Sequence, residues 1–223
     1  MTRLINDIYG QSTAQFSLCP FFAGWFLIQF AILAFPGAAT SSGAFAAWPL
    51  FMILFVLPYS LFSRAFYQKQ TGLMPFGTIQ LSSLWLPVIS MIILSVATMF
   101  YGEDETWSLR IFTFSPLHQF IFVVAVIFAA PVIEEIIFRG FLLNAGIGYG
   151  PNGRRVAIAV SSLLFASAHY QYHSPVTFIM IFVMSVIFCL VRIKTNSLIA
   201  PIILHALYNG IQMLLLFILM DIS

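Results

Sequence analysis

Glu134, Glu135 and Arg139 sit in APVIEEIIFRG, residues 130–140, a stretch otherwise made of Ile, Val, Phe, Ala, Pro and Gly. Two later apolar runs also carry polar groups. SSLLFASAHYQ puts His169 four residues after Phe165, and APIILHALYNG puts His205 and Asn209 four apart. Carboxylates and imidazoles in such company can transfer protons, activate water or hold a metal ion. Spacing separates the two glutamates. On a helix, Glu135 and Arg139 are four apart, share a face and can form an ion pair. Glu134 is turned from Glu135 by about 100° and does not share that partner. One carboxylate is neutralised and one is left available.

A plain structural ion-pair cluster would also account for Glu135 and Arg139, and a lone intramembrane His is more often a packing residue than a catalyst. An acid on one helix, a His on the next and a His/Asn pair on a third form a constellation that packing alone explains poorly. His118 and His173 fall at an outer span end and in an outer loop, where solvent accounts for them.

The elements that must position these groups are membrane helices. Of 223 residues 61% are apolar and only 7% charged, with a mean hydropathy of +1.00. A soluble domain carries about a quarter charged residues, so this chain could not cover itself in water. Apolar segments at 19–36, 45–63, 82–101, 117–146, 154–170, 175–191 and 197–219 are on the scale of the roughly 20 residues that cross a bilayer as a helix. The fold class expected is all-α, a polytopic transmembrane helical bundle of about seven spans with its catalytic cavity within the membrane. It divides into N-terminal helices over 1–116 and a core over 117–223, together one integral membrane domain. The first 18 residues are too polar for a signal peptide, so the first apolar run is expected to stay as a helix.

Charge constrains both partner and orientation. A net charge of +2 gives no reason to expect nucleic acid. Cys19 and Cys189 are isolated and imply neither a disulfide framework nor a zinc ribbon. Arg3, Arg64 and Lys69, Arg154 and Arg155, and Arg192 and Lys194 fall in alternate loops. The excess of basic residues on one side predicts a cytoplasmic N-terminus and an external C-terminus.

A charged side chain at the bilayer centre costs roughly 2.5–3.5 kcal/mol on insertion scales, so the charged groups must face a polar interior. At about 1.5 Å per residue, Glu134 lies some way in from the basic end near Arg154. His169 and Asn209 are expected at similar heights, and His205 somewhat lower. Pro131 and Pro201 each remove a backbone N–H one turn from these groups, and a broken helix at that depth suits a wet cavity.

EEIIFR, FASAH and HALYN, in that order, match EExxxR, FxxxH and HxxxN. Over about residues 117–212 the chain resembles the CPBP family of intramembrane proteases, also called the Abi or CAAX-protease family, which includes the type II CAAX prenyl endopeptidases. The resemblance implies a glutamic-type endopeptidase in which Glu134 is the base that activates water. His169 would hold that water or shuttle its proton, and His205 and Asn209 would stabilise the oxyanion. Glu135, Arg139 and Phe165 would be structural support. No cofactor is needed on this reading. In the zinc alternative, Glu134, His169 and His205 would be the ligands, with a water as the fourth. The expected partners are the lipid bilayer and a membrane-anchored protein or peptide substrate. The short loops look bacterial, where prenylated CAAX proteins are not expected. A transporter is the competing class, but the polar groups all lie in one half and no internal repeat is present. A non-catalytic binding or immunity protein is the other, against which the intact motifs argue.

Overall fold

A computed structural model describes residue 24 and residues 42–79, 81–101, 106–147 and 149–222. Helices occupy six of the seven expected positions, the seventh (19–36) falling outside the described residues apart from Gly24. We number them α1 (42–71), α2 (Trp85–Tyr101), α3 (116–147), α4 (Gly150–Ala168), α5 (Pro175–Thr195) and α6 (Ile199–Ile222). No strand occurs among the described residues.

Four helical segments are long and apolar enough to cross a membrane: Ala47–Thr71, Pro116–Ile147, Pro175–Thr195 and Ile199–Ile218. The apolar part of α2 is shorter, Trp85–Thr98. α4 has 19 residues but spends its first turns on Asn152, Arg154 and Arg155. Large side chains such as Phe55, Phe62, Ile93, Phe120, Phe128 and Leu214 stay exposed around the outside. Water would not tolerate so much apolar surface, whereas lipid does. The protein is a helical membrane bundle.

α3 is its centre. Half of its most apolar window is buried inside the bundle, against 28% for α1 and 17% for α6. At 32 residues it is about 48 Å long, well over the roughly 30 Å of hydrocarbon it must cross. α4 and α5 form a hairpin against it, and α1 and α6 pack on its other sides. Met52, Val56, Ile133, Ile137, Phe165 and Ile181 build one cluster of this core, and Met184, Phe188, Leu204 and their neighbours another.

α3 is not a uniform α-helix. π-helical turns at Ala125–Ala129 and Ile136–Leu142 bracket a short α-segment, Ala130–Glu135, that carries both glutamates. Pro131 supplies the reason for the first of these, since its ring nitrogen has no proton for an upstream carbonyl. Pro201 does not act this way. It sits in the first turn of α6, where a backbone N–H has no helical partner anyway, so α6 is not broken there.

After α1 the chain turns at Gly72 (φ +70°) and runs as an extended segment, 73–79, beneath the bundle. Many groups fasten it. Arg64 donates to the Met74 carbonyl through Nε (3.1 Å) and Nη2 (2.8 Å), and its guanidinium stacks 3.7 Å from the Phe76 ring centroid. Asn144 and Arg192 both donate to the Leu73 carbonyl. Ser197 Oγ and the Ile199 N–H donate to the Phe76 carbonyl. Groups from α1, α3, α5 and the start of α6 therefore meet at one end of the bundle. That is the end bearing the basic residues.

Candidate active site

The paired glutamates split as their spacing requires. Glu135 Oε1 accepts from Arg139 Nη1 at 2.9 Å, with both side chains fully buried. The same oxygen lies 2.9 Å from His205 Nδ1 on α6. Arg139 reaches on to α5, donating through Nη2 to Ser185 Oγ (2.7 Å) and to the Ser185 carbonyl (3.2 Å). Its guanidinium carbon lies 4.4 Å from the Phe165 ring centroid and 5.2 Å from that of Phe188. A cation stacked on aromatic rings and bonded to a carboxylate is held without water. Glu135 and Arg139 thus tie α3 to α5 and α6, which goes beyond the support within one helix that the motif implied.

Glu134 is the available acid. Its Oε2 has no hydrogen-bond partner, yet it faces two imidazoles. His169 Nε2 is 3.7 Å away and His205 Nε2 3.9 Å. Both rings are oriented from behind. His169 Nδ1 lies 2.7 Å from the Phe165 carbonyl, which can only accept, so Nδ1 carries the proton. His205 Nδ1 meets the Glu135 carboxylate in the same way. With Nδ1 so engaged, each ring turns its Nε2 toward Glu134. Phe165 is fully buried and wedged between the two, 4.6 Å from the His169 ring and 5.7 Å from the His205 ring. Glu134 and His169 retain about a fifth of their side-chain exposure, whereas His205 keeps 3% and Glu135 none. The site has an open face and a closed one.

Asn209 does not stand at the height of Glu134, as helix counting had placed it. It lies one turn beyond His205 on α6 and donates through Nδ2 to the Val126 carbonyl at 2.9 Å. One N–H is thereby used, and the amide has a second. His205, expected lower, lies at the level of the glutamates. Helix counting assumes that the helices start level, and it does not show how far α6 is offset along α3. His118 is exposed and bonds Ser115, and His173 is exposed.

Sequence reasoning overlooked Ser185 and Ser161. Ser185 anchors Arg139, and Ser161 Oγ donates at 2.9 Å to the Phe138 carbonyl in the second π-turn. Ser185 is a lone hydroxyl in the apolar run VMSVIF and Ser161 the first of an adjacent pair in VSSLLF, a signal available in the sequence.

Glu134 Oε2 and the two Nε2 atoms are the right donor types for zinc, and metal-binding histidines are held through their other nitrogen in just this manner. The spacing does not suit it. Tetrahedral zinc with these ligands sets neighbouring donors about 3.4 Å apart, closer than either separation here. Among the described residues no group of three His, Cys, Asp or Glu side chains is placed to hold a metal ion.

Comparisons agree with the motifs. Residues 116–211 match the family model for type II CAAX prenyl endopeptidases, Rce1-like. The membrane-embedded CAAX protease MroQ of Staphylococcus aureus (strain USA300) is 36% identical over 131 residues, covering 55% of this chain and 51% of that protein. An uncharacterized 24.3 kDa protein of Escherichia coli is 29% identical over 127 residues, 54% of this chain and 58% of its own. The chain spans just over half the length of these curated relatives. No solved structure matches at a significant level. Residues 116–211, which carry all the motif residues of the site, are similar to the Rce1-like type II CAAX prenyl endopeptidases.

Proposed function

We propose that the protein is an intramembrane endopeptidase of glutamic type, cutting a peptide bond in a membrane-anchored protein or peptide. One observation carries the reading: the unpartnered Glu134 Oε2 faces two Nε2 atoms whose rings are pinned from behind. A water beside these atoms can donate to Glu134 and to the His169 lone pair. Glu134 takes a proton from the water as its oxygen attacks the peptide carbonyl. The oxyanion that forms needs donors. We assign that role to His205 and to the second N–H of Asn209. Protonated Glu134 then gives its proton to the leaving amine as the C–N bond breaks.

The reading is metal-free, and no step is routed through zinc. We read the membrane as a bacterial cytoplasmic one, with the N-terminus and the basic helix ends on its cytoplasmic side. The relative MroQ carries CAAX protease in its name. For this chain a membrane-anchored leader or sorting segment is the proposed substrate class.

The test is cleavage by purified wild type, Glu134→Gln and Glu135→Ala, with and without a chelator. The substrates are a farnesylated CAAX peptide and a non-prenylated membrane peptide. Loss of cleavage in folded Glu134→Gln with a chelator-insensitive wild type is expected. Chelator inhibition reversed by zinc would move Glu134, His169 and His205 into ligand roles. A fully active Glu134→Gln would sink the assignment.

A further inference from the structure

The two ends of the site are built differently. Toward the basic end, 13 residues of α3 separate Glu134 from Ile147, about 20 Å of helix. That length is packed with Ile136, Phe141, Leu143 and Leu198, all nearly or fully buried. Segment 73–79 lies across it. Met74 is fully buried, and a Cβ on Gly140 would come within 2.6 Å of its sulfur. Gly77, at φ +69°, runs so close to Ser197 that a Cβ would approach the Ser197 Cα to 2.8 Å. With backbone touching backbone and four side chains fastening it, this segment has no slack.

Toward the other end the α4–α5 hairpin stops almost at once. α4 finishes at Ala168, and His169 is the residue that caps it. The turn 169–174 leads into α5 at Pro175. Its first residue is therefore a member of the site, and the next, Tyr170, is 70% exposed. Tyr172 comes back to stack on His169, ring centroids 6.2 Å apart. α3, by contrast, continues 18 residues beyond Glu134 to Pro116. The hairpin of α4 and α5 is thus the low wall of the bundle, and the exposed part of Glu134 and His169 lies beside its top.

We infer that substrate reaches Glu134 over the turn 169–174, with Tyr170 and Tyr172 at the rim, and that segment 73–79 is a fixed seal at the opposite end. The bond that is cut then lies near the membrane face opposite the basic helix ends. An extended peptide emerging at that face fits such an entrance. A chain arriving from the basic side would have to displace the seal. This inference rests on Glu134 as the reacting carboxylate.

Access is measured without cleavage. In a Cys19→Ala, Cys189→Ala background, Glu134→Cys is combined with either Tyr170→Cys or Leu73→Cys. The outer thiol is first blocked with a polyethylene glycol maleimide too large to enter the bundle. A small charged methanethiosulfonate is then applied, and its addition at position 134 is followed by mass spectrometry. Addition should be fast without the block, lost with the polymer at position 170 and unchanged with it at position 73. Loss with the polymer at 73, retention with it at 170, or no addition at all to a folded protein overturns the inference. His169→Cys replaces Glu134→Cys if the latter does not run as a single species on gel filtration. Because the readout needs no catalysis, this labelling pattern alongside a fully active Glu134→Gln would refute the glutamate assignment and leave the entrance intact.

Discussion

Asn209 completes a hydrogen bond that Pro131 cannot make. In the π-turn Ala125–Ala129 the Ala130 N–H goes to the Ala125 carbonyl. The Val126 carbonyl would next be served by residue 131, and proline has no N–H. Asn209 Nδ2 fills the place at 2.9 Å. The motif asparagine is thus a structural donor to the helix that carries Glu134, with a second N–H left for chemistry.

Asn209→Ala should accordingly destabilise the protein by about 1–3 kcal/mol, the cost of a buried unsatisfied carbonyl. Pro131→Ala in that background restores a backbone donor and should recover most of the loss. Cleavage should not recover with it, since the second N–H is still missing. Thermal unfolding in detergent and cleavage rate, measured on the single and double variants, separate the two roles. Recovery of cleavage along with stability would confine Asn209 to structure.

The Glu135–Arg139 pair has no exposure at all. Arg139→Met leaves a buried carboxylate uncompensated and should cost about 3–5 kcal/mol. Adding Glu135→Leu removes the stranded charge and should return much of the stability. Activity should stay low, because His205 Nδ1 then has no acceptor and its ring is free to choose the other tautomer. Nitrogen chemical shifts of labelled histidine would show that change directly.

Ser185 holds Arg139 from α5 through its hydroxyl at 2.7 Å, while its carbonyl at 3.2 Å remains whatever the side chain. Ser185→Ala should destabilise by about 1.5 kcal/mol, the lower range for a hydrogen bond to a charged group. Denaturation midpoints would record it. A loss as large as that from Arg139→Met would mean the hydroxyl carries more of the anchor than the distances imply.

Two glycines with nearly the same φ should respond differently. Gly72 and Gly77 have φ of +70° and +69°. A Cβ on Gly72 meets nothing within 4 Å, whereas one on Gly77 meets Ser197. Gly72→Ala should cost only the left-handed penalty of about 1–2 kcal/mol. Gly77→Ala should cost more and should loosen segment 73–79, which proteolysis of that segment would detect. Equal effects would mean that the seal is more yielding than its packing suggests.

Much of this molecule was readable from residue types. Apolar runs placed the helices because a bilayer leaves the backbone no other way to satisfy itself. Four-residue spacing paired Glu135 with Arg139 and set Glu134 apart because helix periodicity is local. The motif order over EEIIFR, FASAH and HALYN pointed to the family that residues 116–211 match.

The rest depended on how the helices pack. Spacing along the chain says nothing about how two helices are offset, so counting residues put Asn209 level with Glu134, whereas the packing of α6 on α3 brought it to Val126 and brought His205 to Glu135. Ser185 became an anchor only because α5 packs against Arg139. No local rule foresees a segment such as 73–79 folding back to close one end, since Arg64, Asn144, Arg192 and Ser197 come from four different elements. Local periodicity decides which groups share a face of one helix, and only packing between helices decides which faces meet.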